Sequence, residues 1–327
     1  MKFIRQKNVK RRRDVMKKRN FRFISVTLIA FIMSAFLLGC SGKGSDISDA
    51  SASEGKKREG ALQILTPQNT GKVVYGNDIV SIDASNTSDG YIMLQYKGNA
   101  AKMKLQVTIP DGTVYTYTIT DSYLTTFPLT GGSGGYHMDV LEHVRDKQYA
   151  IAFSQDMDVK ITDEFKPFLY PNQYVWFTKD SQSVKLGKKL SDKSTDDLDY
   201  VKNVYHYVIE NVAYDEKKAE NTPTDYVPNL DETLDTGEGI CFDYASLMAA
   251  MLRSQSVPTK LEVGYSGEAY HAWVSVYIKE KGWIDKIIEF DGKDWSLMDP
   301  TLAANNSTKS VGKYIGDGSN YKVKYSY

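Results

Sequence analysis

The sequence predicts an α+β protein in which a region of β-strands precedes a region that mixes helices and strands. Three observations support this prediction. Hydrophobic residues make up 41% of the chain and charged residues 25%, which is ordinary for a folded globular protein. Strand-like alternation dominates residues 61–165, and helical periodicity appears only after residue 166. The chain beyond residue 39 is long enough for two domains of roughly 150 residues each.

The first 39 residues are typical of an export signal. A basic stretch precedes the apolar run ISVTLIAFIMSAFLL at 24–38, which is shorter than the roughly twenty residues that a membrane-spanning helix needs. The run ends in LLGC at Cys40, which resembles the lipobox of bacterial lipoproteins. We predict a signal peptide at 1–39, with Met1 and Met16 both open as start codons.

That resemblance implies that Cys40 becomes the lipidated first residue of the mature protein. The expected location is the extracellular face of the bacterial cell membrane, held there by the N-terminal lipid. An uncleaved N-terminal anchor is the alternative. Residues 40–60 are rich in Ser, Gly and charge without apolar periodicity, and we predict a flexible tether there.

Charge argues against nucleic acid as a partner. The chain has 41 basic and 41 acidic residues. Residues 1–39 hold eleven of the basic residues and one acid, so the chain without them is about ten charges negative. Binding to a phosphate backbone needs a basic face.

Residues 61–165 are expected to form an immunoglobulin-like β-sandwich. Alternating runs at 104–109 and 113–119 flank Pro110-Asp111-Gly112, a hairpin signal because Pro fixes φ and Gly accepts a positive φ. Further strands are expected at 61–65, 78–83, 91–96, 136–141, 148–153 and 157–161. About seven strands without a helical stretch are typical of such a sandwich.

Residues 166–327 are expected to form a second domain that folds independently, unless the sandwich covers part of it. An apolar stripe over 195–212 predicts an amphipathic helix, with Ser194 or Thr195 as its N-cap. His206 falls off the stripe and is expected to face solvent.

A reactive thiol is expected at Cys241. Gly237 and Gly239 precede it, and strong helix formers follow, so Cys241 lies at a helix N-terminus, where amides and the helix dipole stabilise a thiolate. His271 begins a predicted strand, and Asp299 ends another before a proline. A thiolate needs a base, and the base needs a carboxylate that orients it.

These residues resemble the transglutaminase-like superfamily, with its papain-like Cys-His-Asp core. The resemblance rests on G-x-C-x-x-Y-A-x-L at 239–247, H-A-W at 271–273 and D-P-T at 299–301. It implies that Cys241 is the nucleophile, His271 the base and Asp299 the orienting acid. Tyr214 is the candidate for the oxyanion hole, with simple packing as its alternative.

The resemblance implies an extracellular, membrane-anchored cysteine acyl-transfer enzyme that forms a thioester from protein or peptide amides. Water as acceptor would give a peptidase or deamidase, and a lysine amine would give a cross-link; the sequence leaves both open. No cofactor or metal is implied, and the expected partner is a protein or peptide at the cell surface, including the cell wall. The layout is similar to surface lipoproteins of Gram-positive bacteria. The alternative is a non-catalytic binding or adhesion module on the same scaffold.

Overall fold

The computed structural model describes residues 57–60, 64–119, 122–285, 288–290, 295–297 and 321–327. The predicted signal peptide, the lipid-attachment residue Cys40 and the tether up to residue 56 lie outside the described residues. The described residues all belong to one compact unit. None of the described helices is both long and apolar enough to cross a membrane.

Strands of the first half form two four-stranded sheets in which neighbouring strands are antiparallel. One sheet has the order β1-β2-β3-β6 and the other β5-β4-β7-β8. The strands are β1 (Val74–Gly76), β2 (Val80–Asp83), β3 (Tyr91–Tyr96), β4 (Met103–Thr108), β5 (Val114–Ile119), β6 (Thr125–Pro128), β7 (Gly134–Arg145) and β8 (Gln148–Val159). Buried residues of both sheets belong to one hydrophobic core.

The hairpin predicted around Asp111 is confirmed. β4 and β5 pair from Met103 opposite Ile119 to Thr108 opposite Val114. Gly112 has a φ of 89°, and the Asp111 carboxylate accepts the Thr113 backbone N–H at 2.8 Å. The turn therefore has the backbone geometry for which Gly is required.

Several strands differ from the predictions. The strands predicted at 148–153 and 157–161 are one continuous strand, β8, which ends at Val159, because both segments pair with β7. β1 at Val74–Gly76 and β6 at Thr125–Pro128 were not predicted, since segments of three and four residues give little periodicity. Of the strand predicted at 61–65, residues 61–63 lie outside the described residues, and 64–65 are not in a strand.

Helices belong almost entirely to the second half. Two short 3-10 helices lie at Thr87–Asp89 and Lys166–Phe168. The α-helices are α1 (Gln182–Ser191), α2 (Asp197–Asn211), α3 (Glu216–Asn221), α4 (Leu230–Thr236) and α5 (Cys241–Ser254).

The predicted amphipathic helix is confirmed as α2, and His206 on it is exposed as expected. Its N-cap differs from the prediction. Asp196, rather than Ser194 or Thr195, accepts the Asp199 backbone N–H at 2.8 Å. An Asp cap combines that hydrogen bond with a favourable negative charge at the helix N-terminus.

A third four-stranded antiparallel sheet supports α5. Its order is β13-β12-β11-β16, and α5 packs on β11 and β12 with α1, α2 and α4 on its other sides. The remaining strands are β9 (Ala213–Tyr214), β10 (Glu238–Gly239), β11 (Thr259–Ser266), β12 (Ala269–Ile278), β13 (Gly282–Ile284), β14 (Ile288–Phe290), β15 (Trp295–Leu297) and β16 (Tyr321–Ser326). The molecule is a mixed α and β structure, as predicted.

Contacts cross the predicted domain boundary at residues 165 and 166. The ring of Tyr117 on β5 lies 5.7 Å from that of Tyr327, and the Thr130 hydroxyl donates to the Ser326 carbonyl at 2.8 Å. The hydrophobic core includes residues from both sides of the boundary. Independent folding of 166–327 therefore stays a prediction.

The last residues of the predicted tether are held against the helices. The Arg58 guanidinium donates to Asp197 and Ser191, both at 2.7 Å, and to the Gln255 carbonyl at 2.6 Å. It also lies 4.7 Å from the centre of the Tyr200 ring. The predicted tether extends through residue 60. Arg58 near its end makes these contacts because α1, α2 and the end of α5 meet there.

Candidate active site

Cys241 is the first residue of α5, as the sequence predicts. It is partly buried and forms no disulfide. The helix entry depends on glycine at two positions. Gly237 ends α4 with a φ of 64°, and a Cβ on Gly239 would lie 2.9 Å from the Cβ of Asp243. The thiol is therefore placed where the first amides of α5 have no helical carbonyl partner.

Asp243 anchors the start of this helix. Its carboxylate is fully buried and accepts the Ile240 backbone N–H at 2.9 Å. It also accepts the Lys218 ammonium at 2.8 Å and the Tyr226 hydroxyl at 2.5 Å. A buried carboxylate without partners would be costly, so these donors compensate it. Burial and the Asp243 carboxylate raise the pKa of the Tyr226 phenol.

Sequence reasoning missed this network. An acid at the third position of a helix is a recognisable signal for capping, and Asp243 could have been found in that way. Lys218 and Tyr226 could not, because they lie 25 and 17 residues away along the chain.

His271 lies on β12 and is 9% exposed. It is the third residue of that strand, rather than its first, and lies opposite Gly264 on β11. Its ring stacks with Trp273 at a centroid distance of 6.3 Å and an interplanar angle of 29°. The ring of Tyr321, on β16 at the far side of β11, lies 6.5 Å away.

Helix α5 packs on β12, the strand that bears His271. Tyr270 precedes His271 on that strand and is 57% exposed. Burial raises the pKa of the Tyr270 phenol, with smaller contributions from Tyr325, Tyr265 and Cys241. The structure thus brings the predicted nucleophile and the predicted base to adjoining elements.

A buried carboxylate holds the tryptophan that stacks on His271. Glu262 on β11 accepts the Trp273 indole N–H and the Ser275 hydroxyl, both at 2.8 Å. Trp273 is thereby fixed against the His271 ring. Burial raises the pKa of the Glu262 carboxyl above its usual range, although Ser275, Lys260 and Trp273 act in the opposite direction.

Tyr214 lies beside the segment that leads to Cys241. β9 and β10 are parallel and place Tyr214 opposite Gly239, and the Asp215 backbone N–H donates to the Gly239 carbonyl at 2.9 Å. The Tyr214 ring is 6.4 Å from that of Tyr244, whose hydroxyl donates to the Val212 carbonyl at 2.6 Å. The residue is near the nucleophile and packs on its helix.

Asp299, the predicted orienting acid, lies outside the described residues. The strand predicted to end at Asp299 is present as β15, which pairs with β14 in antiparallel fashion, from Ile288 opposite Leu297 to Phe290 opposite Trp295. In the described part of the chain these two strands form a sheet of their own, whereas the neighbours of β12 are β11 and β13.

A family model matches the part of the chain that contains this arrangement. Residues 184–286 match the transglutaminase-like superfamily. This stretch is a transglutaminase-like domain. It includes Cys241 and His271 and ends before Asp299. The family resemblance predicted from the sequence is confirmed over residues 184–286.

Individual relatives match more distantly. The uncharacterized protein YebA of Bacillus subtilis is 28% identical over 118 residues, which cover 30% of this chain and 16% of that protein. Among solved structures, a candidate cysteine protease from Cytophaga hutchinsonii is 18% identical with a TM-score of 0.31, over 59% of this chain and 77% of that one. A red sea bream transglutaminase is 11% identical with a TM-score of 0.26, over 65% of this chain and 53% of that one.

Among the residues that the structure describes, no group of three or more His, Cys, Asp or Glu side chains is arranged to hold a metal ion.

Replacing Lys218 by Met should destabilise the protein by about 3 kcal/mol, because it leaves the buried Asp243 carboxylate without its charged partner. Lys217→Met, on the exposed side of the same helix, should change the free energy of unfolding by less than about 0.5 kcal/mol. Urea unfolding of both variants measures the difference. Equal values for the two would contradict the role of Lys218.

Replacing Glu262 by Gln should remove a pH dependence of stability. A raised carboxyl pKa means that the folded state favours the protonated form. The contribution of Glu262 to the free energy of unfolding is therefore complete below the unfolded-state pKa of about 4.3, and it is lost as the pH rises through the folded-state pKa. The variant should therefore gain stability relative to the wild type between pH 4 and pH 7 in urea unfolding. Exposed Glu268→Gln is the control, and an identical pH profile for both variants would refute the prediction.

Proposed function

We propose that this protein is an extracellular, membrane-anchored cysteine acyl-transfer enzyme that acts on protein or peptide amides. One observation carries the proposal: within a transglutaminase-like domain, Cys241 begins a buried helix that packs on the strand bearing His271. A half-buried thiol at a helix N-terminus, next to an imidazole, is a favourable environment for a thiolate nucleophile.

The proposed reaction proceeds in two steps. The Cys241 sulfur attacks the carbonyl carbon of the amide, the C–N bond breaks, and the imidazolium of His271 gives its proton to the leaving nitrogen. A thioester is formed. His271 then accepts a proton from water or from an amine, whose oxygen or nitrogen attacks the thioester, and the C–S bond breaks.

Other residues would support these steps. Asp299 would orient the His271 imidazole and stabilise its charged form. Tyr214 would donate its hydroxyl to the oxyanion that develops on the carbonyl oxygen. Glu262 and Trp273 would hold the imidazole ring in place from the opposite side, since Trp273 stacks on it. The reaction itself requires neither a cofactor nor a metal.

We also propose that the first half is an immunoglobulin-like domain. The strand order supports this, because β2-β3-β6 and β5-β4-β7-β8 correspond to the A-B-E and C′-C-F-G strands of such sandwiches. Its partner would be the same surface protein or peptide that the enzyme acts on.

Cys241→Ala should abolish both amide hydrolysis and amine incorporation, because no nucleophile remains. His271→Ala should reduce turnover by about a thousandfold or more, and Asp299→Ala should cost less since it orients the base without being the base. The assay incubates the protein with a glutamine-containing substrate and a labelled amine, and mass spectrometry detects cleavage, deamidation and cross-links.

The rate of Cys241 alkylation by iodoacetamide near pH 7 provides an activity-independent measurement. It should fall in His271→Ala and stay unchanged in His206→Ala, which alters an exposed histidine on α2. If His271→Ala alkylates as the wild type does and no turnover is detected, the domain is a binding module that retains the residues of an enzyme.

The proposed anchor depends on Cys40. When cells that make the wild-type protein are fed palmitate, the protein should become labelled and should co-fractionate with the membrane. The Cys40→Ser variant should lose the label. Cys241→Ser, which removes the other cysteine of the chain, should keep it. A mature protein that begins elsewhere and carries no lipid mass would contradict this proposal.

A further inference from the structure

A cavity of about 600 Å³ lies between two segments, each next to an aromatic residue that contacts Phe242, the residue after the nucleophile. One wall includes Gln173 and Trp176, and the other runs from Val227 to Asp231. The two aromatic residues contact the same side chain. The Tyr174 ring lies 5.2 Å from Phe242, and the Tyr226 ring lies 6.4 Å from it. Cys241 itself does not line the cavity, so a group bound there is near the reaction centre without being the group that reacts.

Aromatic and apolar side chains lie among the polar ones that line the cavity. Trp176 is 47% exposed and Tyr123 76% exposed, and Val227 and Leu230 also line the cavity. Large exposed aromatic rings attract cations through their negative faces. The apolar side chains suit the methylene stem of a long cationic side chain.

The charged group of the cavity is a carboxylate. Asp231 contributes a carboxylate that takes part in none of the described ion pairs, although one oxygen accepts the Gln182 backbone N–H at 3.3 Å. No Lys, Arg or His is found among the described residues that line the cavity. An anionic ligand would therefore meet a carboxylate with no compensating charge.

Gln173 is a second and independent indication of the ligand. It is 8% exposed, and its Oε1 has no hydrogen-bond partner in the described part of the chain. The amide orientation is determined, because Nε2 donates to the Thr118 carbonyl at 2.5 Å. A buried acceptor without a donor is costly. Because Oε1 is closed to solvent, a ligand N–H reaches it only when the Gln173 side chain turns towards the cavity.

We propose that this cavity binds a lysine or arginine side chain of the protein substrate, at a position that flanks the reacting amide and does not itself react. The cation would lie between the Asp231 carboxylate and the rings of Trp176 and Tyr123. This inference rests on the proposed function and extends it, since it makes a basic residue near the amide the determinant of substrate choice. Sequences with an acidic residue at that position would be poor substrates.

Binding without turnover tests the inference separately from catalysis. The full chain with Cys241→Ala is titrated into fluorophore-labelled nonapeptides that are centred on glutamine, otherwise neutral, and carry one lysine at each position in turn. A matched series carries norleucine instead, which keeps the methylene stem and removes the charge. In at least one position, the lysine peptide should bind about tenfold more tightly than its norleucine partner by fluorescence anisotropy.

Variants locate the effect. Asp231→Asn should abolish the preference for lysine, and Tyr123→Ala should reduce it severalfold. Glu232→Gln, which removes the same charge one residue further along α4, does not line the cavity and should leave the preference unchanged. High salt should weaken the lysine peptide more than the norleucine peptide.

Three results would overturn the inference. They are equal binding or no binding of the two series at every position, an equal effect of Asp231→Asn and Glu232→Gln, and acylation of the bound lysine itself by the wild-type protein. The last would make the cavity an acceptor site. Loss of turnover in the catalytic assays with the lysine preference intact would count against the proposed reaction and leave this binding site standing.

Discussion

Burial of α5 on nearly all sides is the constraint on which the rest of the second half depends. Every residue from Asp243 to Ser254 is buried, and only Cys241 and Phe242 at its start are partly exposed. A helix without a polar face must be covered all round, so helices pack on one side of it and a sheet on the other. The thiol is therefore carried by the one end of the helix that reaches the surface.

Each end of this helix carries a buried charged side chain, and its partners come from other segments of the chain. Asp243 binds Lys218 and Tyr226 near the start. Near the other end, the Arg253 guanidinium donates to the carbonyls of Thr259, Tyr170 and Tyr327, and burial lowers its pKa to about 9. Because each charge is satisfied in one geometry only, these contacts restrict how the nucleophile can move.

A chain of aromatic side chains joins the first half to the candidate site. Tyr117 packs with Tyr174 at 5.7 Å, and Tyr174 packs with Phe242 at 5.2 Å. Tyr327 contacts both tyrosines. The segment that bears Tyr174 also forms one wall of the cavity beside the nucleophile, since Gln173 and Trp176 flank it. The position of that wall therefore depends on packing between the β-sheets and the transglutaminase-like domain.

Local sequence determined the elements, and tertiary packing determined what surrounds the site. The turn at Asp111-Gly112, the stripe of α2 and the start of α5 at Cys241 depend on residues within a few positions of one another, so periodicity and turn chemistry predicted them. Three features were not predictable in this way: the pairing of Lys218 with Asp243, the contacts of Arg58, and the cavity wall formed by Gln173 and Trp176. Each joins segments that are distant along the chain. Burying their polar groups costs little free energy only after the folded core has brought the hydrogen-bonding partners together.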